Sequence, residues 1–332
     1  MDEKADRIYR DAIVIDALNV SNWKSDAVFR SLNESGITAI NATTAIWENY
    51  REEMDNISAW QKRFSEREEI VQIFSTADIK KAKKDRKVGL IIGWQNASPI
   101  ENDLSRLELF HRLGVRIIQI TYNERNLLGN GCYERGDSGL SHFGIDAVRE
   151  MNRLGILIDL SHVGDQTTLD AVKASTKPVT CTHANARGFI NNVRSKTDDA
   201  LQLIREKGGV IGANAFPAFF PNTFDSTLPD FVDAIDDLVE RIGIDHVGIG
   251  TDYTQDQPRS FFDWIFSQQG TKPAESPSLQ YPDWVLHPKG METPDKFSNV
   301  ADELMKRRYS KKDMLKILGG NWMRLFKEVW GA

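Results

Sequence analysis

Three short apolar runs, far apart in the chain, each close on a residue able to bind a metal ion or move a proton. Leu157-Ile158-Asp159-Leu160-Ser161-His162 and Pro178-Val179-Thr180-Cys181-Thr182-His183 end on histidine, and Gly248-Ile249-Gly250-Thr251-Asp252 ends on aspartate. A single histidine at a strand end is ordinarily a hydrogen-bonded rim or core residue. Two on successive strands, joined by an acid, describe a site instead. Two imidazoles and a carboxylate make a zinc shell with positions left for water or substrate. The other four histidines offer less: His111 falls in a helical pattern and His246 opens a strand at the opposite rim. His142 and His287 read as solvent-facing loop residues, His287 being the better outsider.

The elements that must position these residues follow from the hydrophobic pattern. Apolar, β-branched runs recur at Ala12–Asp16, Ile37–Asn41, Val88–Trp94, Val115–Thr121, Leu157–His162, Pro178–His183, Gly209–Ala215 and His246–Asp252. Helically spaced segments lie between most of them, among them Leu104–Leu113, Phe143–Leu154, Thr197–Lys207 and Leu228–Ile242. Glycines at 114, 155 and 243 follow three of these segments, where a left-handed residue can end a helix. Eight strands alternating with helices predict an α/β fold with a parallel sheet closed into a (β/α)8 TIM-like barrel. A doubly wound open sheet is the rival, weakened because no GxGxxG follows the first strand. In such a barrel, chemistry gathers at the carboxyl ends of the strands, so His162, His183 and Asp252 would share one rim.

The chain reads as a single domain over 1–332, interrupted at about 253–299 by a segment rich in Pro and aromatic residues. Pro258, Phe261, Phe262, Trp264, Pro273, Pro277, Tyr281, Pro282, Trp284 and Pro288 favour an ordered lid or subunit contact there. An amphipathic helix at Lys311–Leu318 and a last helix from Asn321 end the chain. A net charge of -6 gives no support to nucleic-acid binding. The basic runs at Lys80–Lys84 and Lys306–Arg308 read as solvated helix faces. Cys132 and Cys181 form no CxxC pair and suit a reducing compartment, a single bridge remaining open. With no signal-peptide core and no stretch of transmembrane length, the expectation is a cytoplasmic protein without membrane contact.

Longer motifs surround the three strand ends. Phe143-Gly144 and the run from Val148 through Leu154-Gly155-Ile156 to Ser161-His162-Val163 resemble the signature of the membrane (renal) dipeptidase family, peptidase M19. Thr182-His183-Ala184-Asn185-Ala186-Arg187 and His246-Val247-Gly248-Ile249-Gly250-Thr251-Asp252-Tyr253 continue the resemblance, which runs in order along almost the whole chain. It implies a TIM-like metal-dependent hydrolase barrel, usually a homodimer, with two zinc ions bridged by a glutamate and a hydroxide. It further implies hydrolysis of dipeptides. On this match His162 and His183 are ligands of the second metal and Asp252 is the catalytic aspartate. Arg194, in Asn192-Val193-Arg194-Ser195, falls where the family holds the substrate carboxylate.

Three of the four departures from the family pattern touch the first metal. Where the family's first strand ends Asp-Gly-His-Asn-Asp, this chain has Asp16-Ala17-Leu18-Asn19-Val20. Gln95 replaces the bridging glutamate, and Tyr122 stands where a further histidine contacts the reacting centre. Leu18 and Val20 cannot coordinate a cation, and Gln95 offers one neutral oxygen in place of a two-oxygen carboxylate. Two divalent ions would bring four positive charges to a pocket with one certain carboxylate, which is strongly unfavourable. The expectation is therefore one zinc ion rather than two, on His162 and His183 with Gln95, Asp252 or water; no metal at all stays open.

Two functions fit. One is a metallo-hydrolase cleaving a dipeptide or a related small N-substituted amino acid. In it Asp252 is general base then acid, Arg194 holds a carboxylate, and Tyr122 or Asn123 donates to the oxyanion. The other is a non-catalytic or repurposed homologue that binds a small carboxylate. Dipeptidase-like proteins with this altered first strand resemble ones encoded beside bacterial catabolism of methylated glycines, an association that leaves the substrate open.

Overall fold

The computed structural model describes residues 2–271 and 287–331. Among them nine strands run parallel: β1 (Ile15–Asn19), β2 (Ala39–Ala45), β3 (Ile70–Gln72), β4 (Val88–Trp94), β5 (Val115–Gln119), β6 (Leu157–Asp159), β7 (Thr180–Cys181), β8 (Val210–Asn214) and β9 (Val247–Gly250). Eight of them, β1-β2-β4-β5-β6-β7-β8-β9, pair in that order. The first and last strands meet past their ends, where Asn19 bridges Tyr253, Val20 N–H donates to Tyr253 O at 2.8 Å and Asp252 N–H to Leu18 O at 3.0 Å. The result is the nearly closed eight-stranded α/β barrel that the strand–helix rhythm predicts.

Three differences from the sequence reading have physical causes. The first strand is not Ala12–Asp16 but Ile15–Asn19. Ala12 caps the preceding helix, and pairing with β2 starts only at Ile15 opposite Ala39. Leu18 therefore lies inside the ladder. The sixth run pairs over Thr180–Cys181 alone, because its remaining groups turn to Leu160, Gly212 and the side chains described below. The short β3 was not anticipated. It occupies the half of β4 from Val88 to Leu90 that β5, which joins β4 at Ile92, leaves free.

The predicted helices form at Ser105–Leu113, His142–Leu154, Asp198–Glu206 and Leu228–Ile242. Gly114 and Gly155 end theirs in the left-handed conformation, whereas Gly243 has positive φ with extended ψ. The C-terminal helix Asn321–Trp330 plugs the amino end of the barrel. Its Trp322, Leu325, Phe326 and Val329 pack on Ile15, Ile91, Ile117, Leu157 and Val210. Sealing that end leaves the carboxyl rim as the barrel's open face.

Of the Pro/aromatic segment, Pro273, Pro277, Tyr281, Pro282 and Trp284 lie outside the described residues. The part before them forms a helix, Arg259–Ile265, whose Phe262 and Ile265 join Val20, Ile46, Tyr122, Phe216 and Phe219 in an apolar cluster. Both cysteines are free. Among the described residues no helix is long and apolar enough to cross a membrane.

Candidate active site

Two carboxylates form the frame of the rim. Asp159, at the end of β6, accepts from Ser161 N–H (3.0 Å), Ser161 Oγ (2.6 Å), Thr182 N–H (2.9 Å) and Thr182 Oγ1 (2.6 Å). Burial pushes its pKa up, and these four donors pull it back towards the ionised form they fit. Asp16, on β1, grips β9 in the same way: it accepts from Thr251 N–H at 2.8 Å and Thr251 Oγ1 at 2.7 Å. Burial is the largest influence on Asp16 also, raising its pKa to about 7. In each clip the residue after the threonine is a candidate site residue, His183 or Asp252. The close approach needs glycines, since a Cβ on Gly212 or Gly250 would lie 2.0 or 1.8 Å from Thr182 O.

The clip fixes the chemistry of the histidine pair. Thr182 gives its single hydroxyl proton to Asp159, so its oxygen is left to accept at 2.8 Å from His183 Nδ1. His162 Nδ1 sits 2.7 Å from Asn123 Oδ1, which can only accept. Both rings thus carry their proton on Nδ1 and aim bare Nε2 lone pairs at each other across 3.0 Å. Burial and then the Arg194 charge hold both imidazoles well below their ordinary pKa, in the neutral, ligating form. Two lone pairs so close repel unless a cation or proton lies between or beside them. The donor set fits a cation held by two imidazoles with Asn123 and Thr182 as outer partners. Among the described residues, however, no group of three or more His, Cys, Asp or Glu converges to hold one.

Asp252 has φ of 60°, uncommon for a residue with a side chain. Burial raises its pKa to about 6, against the pull of Arg194 and Asn214. Tyr122 stacks on His162 (centroids 4.2 Å apart) and meets Trp47 edge-on. Gln95, Tyr122, His162 and Asp252 all line one cavity of about 30 Å³, walled by Val20, Ile46, Phe216, Phe219 and Phe261 among others. That volume admits a water molecule or an ion rather than a dipeptide.

Arg194 is fully buried, its two Nη groups donating to Ser161 O (2.6 Å) and His183 O (2.7 Å). It braces the backbone behind both histidines, and only its buried Nε lacks a partner. Asn123 is engaged with His162, and Gln95 Nε2 donates to Thr43 Oγ1 at 3.2 Å. Leu18 and Val20 are buried, as aliphatic residues should be.

His287, expected to face solvent, is buried instead. Its Nε2 accepts Thr254 N–H at 3.1 Å, its ring meets Tyr253 edge-on, and burial lowers its pKa to about 3. It caps the turn after β9. The sequence reading also missed Asp16, Asp159, Thr182 and Lys196. Lys196 is buried with Nζ on Val163 O at 2.6 Å. One signal was available: threonine precedes a site residue in both Thr182-His183 and Thr251-Asp252.

A parallel barrel with imidazoles and an aspartate at its carboxyl rim defines the class of metal-hydrolase barrels. The chain belongs to the membrane dipeptidase family (peptidase family M19), whose pattern matches residues 38–264. An amidohydrolase from Pseudomonas aeruginosa is 37% identical and superposes with a TM-score of 0.94 over 99% of both chains. A metallopeptidase from Rhodobacter sphaeroides, liganded with a phosphinate mimic of L-Ala-D-Ala, shares the fold at 20% identity. Its TM-score is 0.79 over 96% of this chain and 100% of its own. Dipeptidase tcpJ of Claviceps purpurea is 28% identical over 84% of this chain; the chain spans 59% of that relative's length.

Proposed function

We propose that the protein is a hydrolase of a dipeptide or a related small N-substituted amino acid, working with one metal ion at His162 and His183. The observation that carries this reading is the pair of bare Nε2 atoms 3.0 Å apart beside a cavity shared with Asp252 and Tyr122. When bound, a zinc ion supplies Lewis acidity, polarising a carbonyl and making water more acidic. Asp252 takes the proton from the attacking water and passes it to the leaving nitrogen. Tyr122, which lines the same cavity, donates its hydroxyl to the oxygen that gains charge. Asn123 and Thr182 hold the two rings in the ligating tautomer. Arg194, buried behind the histidine pair with both Nη groups engaged, supplies fixed positive charge that draws the substrate's carboxylate towards that side of the site.

Metal analysis of protein purified without added zinc tests this. The expected content is one equivalent per chain, lost in His162→Ala and His183→Ala, together with hydrolysis of members of a panel of dipeptides and N-acyl or N-methyl amino acids. Two equivalents would contradict the reading of Leu18, Val20 and Gln95.

A second reading is a non-catalytic homologue that binds a small carboxylate. It is favoured by the lack, among the described residues, of a third His, Cys, Asp or Glu converging on the histidine pair. Protein with no bound metal and a flat response across the panel would establish it over the first.

A further inference from the structure

The reaction cavity is too small for any substrate of the proposed class, yet it is not isolated. Val20, Ile46 and Phe261 line it on one side and on their other side line a larger pocket of about 480 Å³. That is the size of an ordinary small-molecule site. The partition includes Val20, which stands where the family pattern places a ligand of the first metal. Val20, Ile46 and Phe261, common to both linings, form the apolar boundary where the two spaces meet at the carboxyl rim.

The larger pocket has a defined chemistry. Trp23, Trp60, Phe261 and Trp264 supply aromatic walls. Its charged residues are Arg63, Lys24 and Glu48. Glu48 already accepts the N–H groups of Ile46 (2.7 Å) and Trp47 (3.1 Å) and lies 3.4 Å from Asn56 Nδ2. Lys24 is exposed at the mouth. Arg63 is different. Its Nε donates to Trp23 O at 3.1 Å and its guanidinium lies 5.2 Å from the centre of the Trp60 ring. Among the described residues, nothing accepts from its two Nη groups. Burial and the nearby Arg67 make its charge less comfortable still, lowering its pKa. A planar cation with two free donors, fixed over an indole, matches a planar carboxylate presented edge-on.

We infer that this pocket is a subsite for the acyl side of the substrate, taking a flat group that ends in an anion, with Arg63 as the residue that recognises it. The inference rests on the hydrolase reading for its orientation: the amino-acid carboxylate lies towards Arg194 and the acyl group passes Val20 and Phe261 into the pocket. The substrate class is thereby narrowed to N-acyl amino acids with a second, acyl-borne carboxylate.

Two probes differing by one group test it, N-(4-carboxybenzoyl)glycine and N-benzoylglycine, with affinities measured by titration calorimetry on the intact protein. The carboxylated probe is expected to bind about 10-fold tighter or more, the value of a charge-assisted pair. In Arg63→Met, which keeps the stem packed on Trp60, that preference should vanish while benzoylglycine affinity changes by no more than about twofold. Arg63→Lys should recover part of it. Equal affinities in the unaltered protein overturn the inference without any variant, so a misfolded Arg63→Met would not shelter it. A preference that survives in folded Arg63→Met overturns it too. Preference without turnover would sink the hydrolase reading and leave the pocket standing; turnover of simple dipeptides without preference would do the reverse.

Discussion

At the end of β6, Asp159 holds the N–H and hydroxyl of Thr182, and the residue after that threonine is His183. Near the start of β1, Asp16 holds the N–H and hydroxyl of Thr251, and the residue after that threonine is Asp252. The two quarters of the rim are framed alike, but what they hold differs. Around Asp159 the polar layer is complete: four donors on one carboxylate, two oriented imidazoles, and an arginine bracing the backbone behind them. Around Asp16 the layer has turned apolar: Leu18 and Val20 are buried, Val20 together with Ile46 in the aromatic cluster. Framework and chelating layer are thus separable. The clip sets where the backbone goes, and the side chains two and four residues past Asp16 decide whether a cation can be held there.

The strongest way to break this comparison is to restore the missing layer. Leu18→His, Val20→Asp and Gln95→Glu combined should raise metal content from one ion per chain to two. Without metal, the buried new charges should cost about 3 kcal/mol or more of unfolding free energy. Zinc titration with urea unfolding checks both, and a folded variant that still binds one ion would show that the frame itself has moved.

Next in size are the clips. Asp159→Asn and Asp16→Asn each leave buried donors facing an amide, at about 1–3 kcal/mol. They should part company in metal affinity. Asp159→Asn frees the Thr182 hydroxyl and lets His183 rotate its proton, weakening ion binding by roughly 10–100-fold. Asp16→Asn should leave ion binding near the original value and lower kcat through Asp252. Equal losses of affinity would mean that the two quarters are not independent.

The smallest effect in acid concerns Glu53, behind the apolar quarter. It accepts from Thr44 Oγ1 (2.6 Å) and Trp94 Nε1 (2.7 Å), while its other oxygen is buried without a partner. Burial raises its pKa to about 8, so it is held as the neutral acid at pH 7. A raised carboxyl pKa stabilises the fold fully below the unfolded value and loses that contribution as pH climbs through the folded one. Unfolding free energy should therefore fall between about pH 4.5 and pH 8. Glu53→Gln, a stand-in for the neutral acid, should be close to silent below about pH 4.5 and, by flattening this decline, increasingly stabilising above it. Parallel stability profiles for the two proteins would refute the assignment.

The sequence by itself determined the barrel, the rim and three of its candidate residues, because these depend on local pattern. β-branched runs alternate with helical ones, and His162, His183 and Asp252 each follow their own strand. Leu18, Val20 and Gln95 were equally legible, since aliphatic or neutral side chains cannot do a carboxylate's work wherever they lie. Only the tertiary structure decided the rest, because those facts join residues with no local relation. Asp16 meets Thr251 across 235 positions, β3 takes the free half of β4, and His287 is buried by the turn it caps. The tautomers of the histidine pair belong here as well. They follow from which oxygen each Nδ1 finds, and that is settled by packing rather than by spacing along the chain.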